Sequence, residues 1–163
     1  MTTSSRRRRM SSSGSAWEIA MPETPRDLTW TDVNKGDIVP RVSLDITVRR
    51  LIVNAGAGWD VFPGHYDRDY ARAHGHEDIF ANTSLFLSFA DRVVTDWAGP
   101  RTRIARRALR MSGSVYPGDT LHAEGIVTGR RQDGGVYLVD LEINLGTDRG
   151  PCAQAVATVE LTH

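Results

Sequence analysis

Asn82-Thr83-Ser84-Leu85-Phe86-Leu87-Ser88-Phe89-Ala90-Asp91-Arg92-Val93-Val94-Thr95-Asp96-Trp97-Ala98-Gly99-Pro100 is a helix with its start and its stop written into it. Asn82 is a strong N-cap residue, and Thr83 or Ser84 would serve one or two residues later. Gly99-Pro100 is a helix stop. Between them Leu85, Phe86, Leu87, Phe89, Ala90, Val93, Val94 and Trp97 cover much of the helical circumference. That pattern predicts a helix buried by the rest of the chain rather than laid on a surface. It is the one long helix in the sequence.

Everything downstream reads as strand. Residues 103–115 form an extended candidate. Tyr116-Pro117-Gly118-Asp119 has Pro and Gly where a type II turn wants them, and residues 120–131 follow. Gln132-Asp133-Gly134-Gly135 is a hairpin signal. Tyr137, Val139, Leu141, Ile143 and Leu145 then alternate with polar residues, and after Thr147-Asp148-Arg149-Gly150 the small residues Ala153, Ala155 and Ala157 share a face with Val159 and Leu161. A row of alanines lets a helix approach a sheet closely. Upstream, Lys35-Gly36-Asp37 is a turn, and Val42, Leu44, Ile46 and Val48 alternate as in a half-buried strand. Residues 49–57 read as a short helix, and residues 67–73 as a short polar one. One buried helix and an antiparallel meander with one apolar face give an α+β architecture, the hot-dog fold, in which the sheet wraps around the central helix. Its free strand edges call for a dimer.

Composition narrows the function classes. The chain has 163 residues, room for one domain with a real core. Its formal net charge is +0, so nothing global favours nucleic acid. No apolar run approaches the ~20 residues a membrane span needs. The single Cys152 has no internal disulfide partner, which fits a reducing, cytoplasmic setting. Residues 1–24, with Arg6 to Arg9 among Ser, Thr and Gly, read as a disordered basic tail without the apolar stretch of a signal peptide. Residues 25–163 read as one domain.

Chemistry concentrates in Gly58-Trp59-Asp60-Val61-Phe62-Pro63-Gly64-His65-Tyr66-Asp67-Arg68-Asp69-Tyr70-Ala71. Histidine titrates near neutrality, and a carboxylate can share a water with it. Pro63-Gly64 turns the backbone between Asp60 and His65, so the two would face one point from two sides of a turn. His74-Gly75-His76-Glu77-Asp78 has metal-ligand residue types, but the intervening Gly and the lack of a distant ligand set make it a solvated loop, and no metal is expected. His122 is expected on an outer sheet face.

Ala55-Gly56-Ala57-Gly58-Trp59-Asp60, followed by Pro63-Gly64-His65 and Ala71, resembles the signature of MaoC-like enoyl-CoA hydratases and dehydratases. Tyr116-Pro117-Gly118-Asp119-Thr120-Leu121 and Asp96-Trp97-Ala98-Gly99-Pro100 are similar to further segments of that family. His65-Tyr66-Asp67-Arg68-Asp69 and Asp78-Ile79-Phe80-Ala81-Asn82 look like its small-subunit branch, which takes part in actinobacterial steroid side-chain degradation.

The resemblance implies (R)-type hydration of the 2,3-double bond of an acyl-CoA, or the reverse. Asp60 and His65 would act on the water and the α-proton. The backbone N–H of Thr83, at the start of the central helix, would bind the thioester oxygen, where free amides and the helix dipole favour a developing enolate. Trp59, Phe62 and Asn82 would line the substrate pocket. No cofactor is implied, since coenzyme A is part of the substrate. The expected partners are the acyl-CoA and a second MaoC-like chain, identical or different, with neither nucleic acid nor membrane.

The chain departs from the family pattern at three points. Phe62 stands where Asn is usual, Trp59 where Gly is usual, and Asn82-Thr83 where His-Gly is usual. Arg101, Arg103, Arg106, Arg107 and Arg110 have the chemistry to meet phosphates, although a solvated strand face explains most of them. Two other readings share the fold: an acyl-CoA thioesterase, and a non-catalytic subunit that completes a partner's site.

Overall fold

A computed structural model describes residues 27–163. The expected basic tail, residues 1–24, lies outside the described residues. Five antiparallel strands make one sheet: β1 (Ile38–Asp45), β2 (Arg103–Met111), β3 (Thr120–Asp133), β4 (Val136–Thr147) and β5 (Gly150–Leu161), in the order β1-β3-β4-β5-β2. The helices are α1 (Val48–Ala57), α2 (Arg68–Ala73) and α3 (Thr83–Ala98).

Helix α3 is the central helix the sequence predicts. Asn82 caps it, its side chain accepting from the Leu85 amide, and Gly99 ends it with φ 97°. A side chain on Gly99 would also collide with Asp27. The helix buries Leu85, Phe86, Phe89, Ala90, Val93, Val94 and Ala98. These pack into one core with Leu121, Ala123 and Val127 of β3, Leu141, Ile143 and Leu145 of β4, and the Ala153, Ala155, Ala157 row of β5. Side chains alternate along each strand, so one sheet face is apolar and closes on the helix. This is the hot-dog fold.

The turns behave as the sequence predicts. Gly118 has φ 97°, and the Asp119 amide returns to the Tyr116 carbonyl. Gly134 and Gly135, both with positive φ, join β3 to β4.

Three segment boundaries differ from expectation. Strand β1 begins at Ile38 and ends at Asp45, with a register shift between Val39 and Val42 where Pro40 interrupts the ladder. Val48, expected on the strand face, opens α1, because Thr47 caps that helix by accepting from the Arg50 amide. Residues 112–115, expected as strand, lie beyond β2: the Ser112 and Gly113 amides converge on one carbonyl, that of Cys152, which breaks the ladder.

Strand β2 is an edge with one neighbour, β5, and most of its residues are exposed. Among the described residues no helix is long and apolar enough to cross a membrane.

Candidate active site

Asp60 is placed by the way α1 ends. The Trp59 amide donates to the Gly56 carbonyl at 3.2 Å and the Asp60 amide to the Ala55 carbonyl at 2.9 Å. These are the two bonds of a Schellman closure, with Trp59 at the left-handed position and Asp60 just after it. Glycine is the usual occupant there, because a side chain in left-handed backbone costs roughly 1–2 kcal/mol. Trp59 holds φ 52° nevertheless, and among the described residues it is the one non-glycine with positive φ.

His65 is placed by a single 3₁₀ turn, Pro63–His65, whose fixed first φ comes from Pro63. Gly64 is squeezed between two rings: a Cβ there would lie 2.7 Å from Phe62 Cε1 and 2.8 Å from Phe80 Cε1. The Phe80 amide donates to the Gly64 carbonyl, tying the turn to the segment that leads into α3. His65 is buried, 7% exposed, with Phe62 and Phe80 set edge-on to its ring.

The imidazole is oriented from behind. Its Nδ1 lies 2.8 Å from the Phe80 carbonyl oxygen. A carbonyl can only accept, so Nδ1 carries the hydrogen and a neutral ring keeps its lone pair on Nε2. Nε2 faces Asp60 Oδ2 at 3.4 Å. An ionised carboxylate is also an acceptor, so the two atoms need a donor between them. Either a proton on the ring or the O–H groups of a water satisfies both. The Asp60 side chain is about one-third exposed, so a small molecule can reach this point.

Asn82 completes the arrangement. Its Nδ2 donates to Asp60 Oδ2 at 3.0 Å, and its Oδ1 accepts the Leu85 amide at 3.0 Å. One buried side chain therefore caps the central helix and holds the carboxylate.

Of the six residues expected at the site, Asp60, His65, Phe62 and Asn82 come together. Thr83 is the first residue of α3. Among the described residues nothing accepts from its amide, and its hydroxyl turns to Met111 Sδ at 3.3 Å. Trp59 does not join the enclosed cluster: it is 87% exposed.

A groove of about 560 Å³ lies between β1, α1 and α3, lined by Leu44, Val53, Asn54, Leu85, Phe89 and others. Trp59, Phe62 and Asn82 do not line it. Asn54 links groove and site, donating to Asn82 Oδ1 at 2.6 Å.

Most of the remaining candidates have structural partners. His74 stacks on Tyr70, and His76 stacks on Phe80 and meets the Tyr116 hydroxyl at 3.1 Å. Among the described residues no three His, Cys, Asp or Glu side chains converge as a metal ion requires. Arg101 pairs with Asp27, Arg103 with Glu160 and Arg107 with Asp91, whereas Arg106 and Arg110 have no acidic partner among the described residues. His122 is partly exposed on β3, its Nδ1 3.0 Å from Ser43 Oγ. Burial pushes the Cys152 thiol up to about 11, which keeps it protonated and inert.

Sequence reasoning missed three contributors: Asn54, Ser84 and the Phe80 carbonyl. A backbone carbonyl leaves no trace in residue type. Asn54 carries a faint signal, since asparagine is a poor helix-interior residue and invites the question of what its amide bonds.

Comparison with known proteins gives the family and the fold. The MaoC like domain family matches residues 32–144, a span that includes Asp60, His65 and Asn82. Over 93 residues the chain is 37% identical to the 3-oxo-4,17-pregnadiene-20-carboxyl-CoA hydratase beta subunit of Mycobacterium tuberculosis, covering 57% of this chain and 72% of that protein. The crystal structure of the ChsH1–ChsH2 complex from M. tuberculosis superposes with a TM-score of 0.73 at 30% identity, covering 78% of this chain and 98% of that one. The (R)-hydratase PhaJ1 from Pseudomonas aeruginosa superposes with a TM-score of 0.76 at 19% identity, over 84% and 87% of the two chains, a likeness of fold. With the hot-dog core, the paired Asp60 and His65 and a family match across well over half its length, the chain belongs to the MaoC-like hydratase and dehydratase family.

Proposed function

We propose that this chain hydrates the 2,3-double bond of an acyl-CoA thioester with (R) stereochemistry, or catalyses the reverse dehydration. The observation that carries the reading is the orientation of His65: its Nδ1–H is committed to the Phe80 carbonyl, and its Nε2 meets Asp60 Oδ2 at 3.4 Å. A water held by both acceptors loses one proton to the pair as its oxygen bonds to C3. The double-bond electrons shift toward the thioester, whose oxygen gains charge. The pair then returns one proton to C2. One water is added and nothing is oxidised or reduced.

The growing charge needs a donor, and the Thr83 amide at the open N-terminus of α3 is the residue assigned to it. A preorganised donor in that role lowers a barrier by about 3 kcal/mol. Phe62, against the imidazole, and the exposed Trp59 are assigned to the wall around the acyl group. Coenzyme A enters as part of the substrate, and the chemistry calls on no other cofactor.

Two finer assignments rest on the relatives. A bulky, steroid-like acyl group is supported by the 37% identity to a subunit of a pregnadiene-carboxyl-CoA hydratase. Assembly with a second MaoC-like chain is supported by the beta-subunit relative, by the likeness to a two-protein complex and by the open β2 edge. A cytoplasmic site of action accords with acyl-CoA chemistry and the reduced Cys152.

The test is incubation of the purified chain, alone and with a second MaoC-like chain, with crotonyl-CoA and a bulkier enoyl-CoA. The expected result is loss of the conjugated thioester absorbance with an (R)-3-hydroxyacyl-CoA product. Release of free thiol instead would mean a thioesterase. No turnover in either preparation would leave the chain a non-catalytic subunit and overturn the proposal.

A further inference from the structure

The Asn82 carboxamide has two orientations that differ by a half-turn about its last bond and exchange a carbonyl for an NH₂ group. Which one faces Asp60 matters, because the carboxylate needs a donor and is repelled by a carbonyl. Three donors converge on Asn82 Oδ1: the Leu85 amide at 3.0 Å, the Ser84 hydroxyl at 2.9 Å and Asn54 Nδ2 at 2.6 Å. Asn54 Nδ2 also reaches Ser84 Oγ at 3.1 Å, so the three polar side chains form one closed set. Turning the amide over would set its NH₂ against the fixed Leu85 N–H and its oxygen against the carboxylate, and the Ser84 hydroxyl and the Asn54 amide would both have to turn with it.

We infer that Asn54 and Ser84 are positioning residues that fix the Asn82 amide with its N–H toward Asp60, and thereby hold the carboxylate on the His65 Nε2. The inference rests on the proposed role of Asp60 and assigns that role a support two residues deep. Helix α1 then grips Asp60 twice. Its last turn binds the Asp60 backbone through the Ala55 carbonyl, and Asn54, one residue earlier, binds the side chain through Asn82. The Leu85 amide alone would seat the cap, as in an ordinary helix start. The added pair raises the cost of the turned orientation, since both side chains must reorganise with it, where a wrong orientation would face a carboxylate. Among the described residues His65 is the titratable side chain that meets Asp60; the Asn82 amide donates to the same Oδ2, and the Phe62 amide donates to Oδ1 at 3.4 Å.

The test compares Asn54→Leu, Asn54→Asp and Ser84→Ala in the full chain with whatever partner it needs for activity. Asn54→Leu removes the donor while keeping the branched outline of the side chain. Asn54→Asp puts an acceptor where the donor was and favours the turned amide. The expected order of damage is Asn54→Asp, then Asn54→Leu, then Ser84→Ala. The first should lower kcat at least about tenfold, the scale of a hydrogen bond to a charged group. The loss in kcat should exceed any change in KM, since Asn54 reaches the carboxylate only through Asn82. A packing role alone would move thermal stability and leave kcat in step for Leu and Asp. Hydrogen exchange of the Asn82 side-chain amide, followed by NMR, reads the lock without any turnover. It should be slow in the parent chain and fast in Asn54→Asp. Wild-type kcat in folded Asn54→Asp, or, where the parent chain itself fails to hydrate, an Asn82 amide equally protected in both proteins, overturns the inference.

Discussion

The loop from residue 58 to residue 66 has two unlike sides. Inward, His65 is bonded through Nδ1, Gly64 is sandwiched between two rings, and Asp60 is held through its backbone and by Asn82. Outward, Trp59, Val61, Phe62 and Tyr66 are large apolar side chains at least 45% exposed. Four such residues in eight positions is a concentration that a lone soluble surface does not need. The contrast separates two requirements of the proposed reaction. Aiming a carboxylate and an imidazole at one water would fall to this chain. Enclosing the acyl group would fall to the outward side, where the proposed substrate and partner chain would lie.

The start of α3 is where one substitution should cost the most turnover. Thr83→Pro deletes the amide assigned to the thioester oxygen but suits the first helical position. Asn82, at φ −87° and ψ 168°, already has the extended backbone that a following proline demands. Turnover should be abolished while circular dichroism shows the fold intact, and Thr83→Gly should keep activity. A folded, active proline variant would place the donor elsewhere.

A second substitution tests the inner side through stability. Gly64→Ala introduces a Cβ inside two aromatic rings, one of them pinned by His76. Overpacking of this kind costs roughly 1–3 kcal/mol, and the thermal midpoint should fall by about 2–10 °C. An unchanged midpoint would mean that the rings part freely and that the turn is not tightly seated.

The outer side should respond in the opposite sense. Trp59→Gly relieves left-handed strain at a helix end and should stabilise the chain by about 1 kcal/mol. It should at the same time weaken turnover of a bulky enoyl-CoA more than of crotonyl-CoA. Equal effects on the two substrates would remove Trp59 from the acyl wall.

The smallest effect concerns Cys152, whose thiol is raised to about 11 by burial. The unfolded thiol ionises first, near ~8.5, so stability is lost as pH rises from there toward about 11. Denaturant midpoints between these limits should fall less in Cys152→Ala. An identical slope in both proteins would show that the thiol does not contribute.

Much of this molecule was legible in its residues. The cap and stop of α3 and the Pro-Gly and Gly-Gly turns were readable because each depends on a local conformation that few residues adopt. The Asp60 and His65 pairing was readable for the same reason, with Pro63-Gly64 between them. The β1 boundary was obscured by Pro40, where a register shift breaks the alternation that marks a strand. Val48 fitted both a strand face and a helix start, and the Thr47 cap decided the matter. The lock on Asn82 was invisible because Asn54 and Asn82 are 28 positions apart in the chain, and neither spacing nor polarity announces a contact made only by the fold.

The most direct test of the central claim, that Asp60 and His65 act together on one water, is a double-mutant cycle on enoyl-CoA hydration. Asp60→Asn and His65→Ala should each lower turnover by at least about a hundredfold. The double variant should be little worse than either, because groups acting as a unit are not additive. Near-normal turnover in either single variant, with the fold intact, would contradict the account.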